Sequence, residues 1–126
     1  MDYDEFLIAV TDRTALSRDQ AEAITRATLE VLADRLSGGE AQDLAKELPA
    51  PLSDWLGERT PDEQAKPWSV QSFLRRVEDV AGVPADVAIA GVQAVFAALR
   101  EAVPDREWRR LAGQLPEEYE ELVPGA

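Results

Sequence analysis

Residues 17–49 read SRDQAEAITRATLEVLADRLSGGEAQDLAKELP, and residues 84–116 read PADVAIAGVQAVFAALREAVPDREWRRLAGQLP. Laid over each other without a gap, position 17 on position 84 and so on at a constant offset of 67, the two stretches and the segments before them repeat. Phe6, Leu7, Val10, Asp12, Asp19, Ala21, Ala23, Ala27, Leu32, Glu40, Leu44, Ala45, Leu48 and Pro49 recur as Phe73, Leu74, Val77, Asp79, Asp86, Ala88, Ala90, Ala94, Leu99, Glu107, Leu111, Ala112, Leu115 and Pro116. Many other pairs are apolar in both copies. Self-similarity at a fixed long period marks one supersecondary unit written twice, whose apolar faces are covered by the neighbouring copy. The expected fold is therefore all-α: a helical bundle of two tandem repeats of about four helices each, related by an approximate twofold axis. The repeats are expected over residues 2–57 and 69–124, joined by a linker at 58–67 and packed as a single domain over 1–126.

Helix signals punctuate both copies. Asp2 with Glu5, and Ser17 with Gln20, have the three-residue spacing of capping boxes. Tyr3, Phe6, Leu7 and Val10 share one helical face. In the next helix Ala21, Ile24, Thr28, Val31 and Leu32, with Ala27 and Leu36 beside them, form a stripe, while Arg18, Glu22, Arg26, Glu30 and Arg35 lie outside. Glu22 and Arg26 are spaced for an i,i+4 pair. Gly38 and Gly39 are expected to stop this helix with left-handed backbone. A third helix carries Ala41, Leu44, Ala45 and Leu48 and ends before Pro49. A short one follows from Pro51 to Leu56, closed by Gly57. The polar run ERTPDEQAKP, with two prolines and no apolar period, is the linker. Ser69 then caps a helix carrying Val70, Phe73, Leu74, Val77 and Val80, with Trp68 as its staple. Pro84 and Asp86 open a long helix to about Ala102 whose centre, VAIAGVQAVFAAL, is apolar nearly all round and so is expected to be buried on all sides. Asp105 caps a helix with Trp108, Leu111, Ala112 and Leu115, and Pro116 opens a last turn with Tyr119, Leu122 and Val123. No segment alternates with the period of a strand.

The composition narrows the chemistry. With neither Cys nor His in 126 residues, the chain has no disulfide, no thiol nucleophile and no imidazole base. It also lacks thiolate or imidazole zinc ligands, so any metal would need oxygen ligands. No calcium-loop pattern is present, and no cofactor is expected. The formal net charge of −12 repels a phosphate backbone and an anionic lipid surface, so neither nucleic acid nor membrane is expected as partner. No leader-like or spanning apolar run occurs, and the expected compartment is the cytoplasm.

LSGGE at 36–40 spells the signature loop of ABC-type ATPases, but the chain has no phosphate-binding loop to oppose it, and the second copy reads VPDRE there. Its ordinary explanation is a helix stop and restart. The many acids read as a solvated surface in which spacing alone selects no catalytic pair. Trp55, Trp68 and Trp108 are expected at helix junctions. Arg75-Arg76 and Arg109-Arg110, doubled only in the second copy, are the candidate partner-binding residues: brought together they would grip an acidic protein or phosphate, and apart they would pair with the surplus acids.

The runs YDEFLIAV, LADRLSGGEAQDLAKELP, FLRRV, VFAALREAV and QLPEEYEEL, in that order, resemble the prokaryotic family catalogued as domain of unknown function family 2267. The LSGGEAxDLAxxLP block and the LP after the third helix of each half carry the resemblance. It implies a small, helical, soluble prokaryotic protein and no established activity, cofactor or catalytic residue. Such proteins often repeat the glycine pair in the second half, where this chain has Pro104-Asp105. The function expected is that of a non-enzymatic interaction or stress-related module binding another protein or itself, the homodimer using Ile24 and Val31. The alternative is a small-molecule binder or carboxylate enzyme with a cleft between the repeats, betrayed by an acid of perturbed pKa.

Overall fold

The computed structural model describes residues 1–124, so the closing GA dipeptide lies outside the described residues. These residues form seven α-helices, a 3₁₀ turn and no strand: α1 (Tyr3–Asp12), α2 (Arg18–Arg35), α3 (Gly38–Lys46), α4 (Leu52–Trp55), α5 (Val70–Ala81), α6 (Ala85–Ala102), α7 (Asp105–Gly113) and the turn Glu117–Tyr119. The starts of α5, α6 and α7 stand at the repeat offset from those of α1, α2 and α3 (3 to 70, 18 to 85, 38 to 105).

The starts follow from local chemistry. Asp2 and Ser17 make the full reciprocal capping boxes with Glu5 and Gln20, and Ser37 and Ser69 each accept an amide from the first turn of α3 and α5. Each cap satisfies amides that would otherwise lack a partner. α5 ends at Gly82 and α4 before Gly57, the two glycines with positive φ, at 67° and 74°. Such left-handed closures suit a residue without a Cβ. Gly38 and Gly39 do not share that conformation. They form the first turn of α3, whereas α2 stops by extension of the backbone at Leu36, with Ser37 as the new cap. Likewise Pro104, not Asp105, occupies the cap position of α7.

The long helices interlock across the two halves. α1 packs on α6 and α5 on α2, as closely as each packs on the long helix of its own half, and α2 crosses α6. Gly91 makes that crossing possible, because a Cβ there would lie 2.4 Å from Ile24 Cγ1. One apolar cluster runs through both halves, from Phe6 and Ile24 to Phe96, Tyr119 and Leu122. Phe73 meets Phe96 edge to face with centroids 6.1 Å apart. It meets Tyr119 in the same way at 5.6 Å, an arrangement that sets the positive edge of one ring on the negative face of the other. The Tyr119 hydroxyl donates to the Trp68 carbonyl at 2.7 Å, so the polar tip of that buried ring is satisfied.

Several residues sit elsewhere than their helical period suggests. Arg35 is buried, its guanidinium 5.6 Å from the Tyr119 ring centroid, because the closing turn of the other half lies over the end of α2. Glu22 accepts the Tyr3 hydroxyl, and Arg26 instead pairs with Glu30 at 2.9 Å. α6 is not buried on all sides: Ile89, Ala90 and Gln93 face solvent, the side its neighbours leave uncovered. Val80 also faces out. Ile24 and Val31, the candidate dimer contacts, are core residues at 0% and 4% exposure, so that pairing surface does not exist. Among the described residues, no single helix is long and apolar enough to cross a membrane.

Candidate functional site

Helix α7 reads DREWRRLAG, and its period separates three roles. Trp108 and Leu111 are buried in the bundle, Glu107 is buried towards α3, and Arg106, Arg109 and Arg110 are exposed. The equivalent positions of α3, at the offset of 67, are Gly39, Gln42 and Asp43, so the cationic surface belongs to the second half alone. Beside it opens a cleft of about 720 Å³ lined by Arg100, Asp105, Trp108, Arg109, Ala112, Glu120, Val123 and Pro124. Its size falls within the usual range of ligand pockets. It lies against α7 and the closing segment of the second half.

The four arginines singled out by sequence are used differently. Arg110 Nη1 lies 3.5 Å from Asp43 Oδ2 and 3.7 Å from Glu107 Oε2, and so bridges α7 to α3. The Arg76 guanidinium lies 3.8 Å from the Trp68 ring centroid, close enough for a cation–π stack. Arg75 and Arg109 are exposed, and neither has an ion pair or hydrogen bond within the described residues. α5 and α7 each pack on α6 and have no extensive contact with one another, so no extended packing surface joins Arg75-Arg76 to Arg109-Arg110. Arg106, which sequence reading passed over, lies exposed on α7 with no such partner, like Arg109. It carried a usable signal, since a third arginine on one nine-residue helix is a concentration of cation on a chain of −12.

The LSGGE segment has a different task. Residues 58–67 return over α2 and α3: the Gly38 amide donates to the Glu63 carbonyl at 2.8 Å, and Gln42 Nε2 donates to the Arg59 carbonyl. Asp34 holds Arg59 Nη1 at 2.5 Å, and its own carbonyl takes the Lys66 amide at 2.9 Å. A Cβ on residue 38 would lie 1.8 Å from the Thr60 carbonyl oxygen. Glycine, having none, is what lets the linker close on the helix.

On a different face of α7, Glu107 meets Glu40 at the contact of α7 with α3. The two are 4% and 5% exposed, against the expectation that the acids form a solvated surface. Their carboxyls lie close to each other, and Oε1 of each has no hydrogen-bond partner. Burial, with Glu107 alongside, pushes Glu40 up to about 7, and burial also raises Glu107. Both effects disfavour the charged form. Two carboxyls in such proximity titrate as a pair. Asp43 and Glu47 add negative charge around them and Arg110 offsets part of it. Neither glutamate lines the cleft beside α7. The described residues contain no group of three or more acids placed to hold a metal. The signal in the sequence was the recurrence itself: Glu40 and Glu107 are among the few polar residues kept at the offset of 67.

Fold and surface together define an all-helical protein with a cationic helix face beside an open cleft and a carboxyl pair sealed between two short helices. The chain belongs to the family DUF2267, described as uncharacterized conserved protein, whose profile matches residues 3–122. A search of curated proteins finds no match to this chain.

Proposed function

We propose that the protein is a non-enzymatic, cytoplasmic interaction module, built from two tandem repeats, that binds another protein through the arginine face of α7. The observation that carries this reading is the set of exposed arginines beside the cleft. Arg106 and Arg109 have no ion pair within the described residues of a chain that has 25 acidic side chains available. Cations held clear of so many acids complement an acidic partner and speed its encounter. The tandem-repeat reading is supported by the fourteen identities, the common offset of helix starts, and the way the contacts among α1, α2, α3, α5, α6 and α7 map onto themselves when the halves are exchanged.

A carboxylate enzyme finds less support. The acids of raised pKa are enclosed, and the cleft of useful size contains neither of them. A general acid must reach the proton it transfers, directly or through one water.

The test is quantitative affinity capture from native lysate with wild-type protein, Arg106→Glu/Arg109→Glu and Arg75→Glu/Arg76→Glu. Loss of a reproducible protein partner in the α7 variant alone is the expected result. Full retention of every partner by both variants would remove the arginine faces from the reading.

A further inference from the structure

We propose that the α7 cleft receives a short, non-helical acidic peptide segment of the partner protein, laid against α7 as residues 59–63 lie against α3. This rests on the interaction reading above and specifies its ligand.

The chain carries its own template for such binding. The linker sits on α3 through backbone carbonyls taken by the Gly38 amide and the Gln42 side chain, with Ala41 and Ala45 on the same helix. At the offset of 67 those four positions are Asp105, Trp108, Arg109 and Ala112, and all four line the cleft. The covered helix and the open one differ accordingly: Gly38 is buried and Gln42 half-buried, whereas Asp105 and Arg109 are exposed. Over α7 the cleft is bordered instead by Arg100 of α6 and by Glu120, Val123 and Pro124 of the closing segment.

The substitutions define what the seat prefers. Gln42 is a neutral donor suited to a carbonyl, and Arg109 is a forked cation suited to a carboxylate. Beside the α3 seat, Asp34 at the end of α2 holds the linker's Arg59. The α7 seat instead presents Arg109, with Arg106 one turn away on the exposed face and the acids Asp105 and Glu120 at the edges of the cleft, so a carboxylate is received at Arg109 itself. Trp108 in place of Ala41 adds an aromatic wall for an apolar side chain. Asp105 in place of Gly38 keeps the peptide backbone further from the helix, which agrees with an open cleft instead of a closed seat.

The full-length protein is used to select from a displayed library of random dodecapeptides, and the selected peptides are titrated by fluorescence anisotropy and mapped by amide chemical shifts. The expected result is enrichment in Asp and Glu, shifts centred on residues 105–112, and affinity at least tenfold weaker for Arg109→Glu. Ala112→Gln, which fills the cleft without changing charge, weakens binding as well. Selected peptides without acidic enrichment, or binding unmoved by both variants, would overturn the proposal. Acidic peptides that bind but shift only α5 around Arg75 and Arg76 overturn the cleft while leaving the interaction reading intact. A selection that yields no binding peptide overturns both.

Discussion

A methyl group at residue 38 would be pressed to 1.8 Å from a backbone oxygen of the linker, whereas at residue 39 the nearest atom lies at an ordinary 3.8 Å. Backbone cannot rotate away as a side chain can, so Gly38→Ala should cost about 2 kcal/mol and Gly39→Ala no more than about 0.5 kcal/mol. Urea denaturation of the two variants checks this, and equal stability would show that the linker does not rest on α3. The carboxyl pair makes a second prediction. Its protons are held in the folded state to higher pH than in the unfolded chain, so the native protein binds more protons between the ordinary carboxylate range and about 7. Its contribution to stability is therefore full at low pH and is lost as pH rises through that window, opposite to the usual salt-bridged acid. Glu107→Gln supplies a donor to Glu40 at every pH, and should raise stability at pH 8 by roughly 1–2 kcal/mol while flattening the decline from pH 5 to 8. Calorimetry at both pH values reads the difference, and an unchanged slope would exclude the pair as its source. Sequence carried these two residues only as a recurrence. A period places a side chain on a helix face, but it does not say that the face meets the matching helix of the other half.

At the scale of elements, the crossing of α2 over α6 depends on a missing side chain. A Cβ at residue 91 would press against Ile24. Gly91→Ala should therefore cost about 1–3 kcal/mol, and Ile24→Ala, which removes the clashing Cγ1, should cost less in that background than alone. A double-mutant cycle by denaturation measures the coupling, and strict additivity would mean that the helices do not touch there. Helix starts were legible because Asp2, Ser17 and Ser69 act on amides a few residues away. What lay across the chain was less so. Gly38 and Gly39 read locally as a stop, and only the returning linker shows that Gly38 answers a contact with residues 60–63. The apolar centre of α6 read as enclosed, yet Ile89 and Ala90 stand in solvent, since composition reports how apolar a helix is and not how many neighbours it has. Arg35 looked external until Tyr119 arrived from the other half.

At the scale of the whole molecule, the partnership of α1 with α6 and of α5 with α2 means that neither half can bury its own apolar faces. Residues 1–66 and 67–126, produced separately, should each show depressed helicity and no cooperative melt, and mixing them should restore both. Circular dichroism on the fragments and the mixture decides it; a cooperative transition in residues 1–66 alone would refute the mutual dependence. The same interlocking sets a schedule for synthesis. At about 5–20 residues per second, roughly 3–12 s separate the emergence of the first half of the chain from that of the second. Throughout that interval the nascent chain presents Ile24, Leu29 and Leu32 with none of their partners from α5 and α6 yet made. Stability can be complete in the finished protein and still be unavailable to its first half, so the vulnerable moment of this molecule falls on the ribosome.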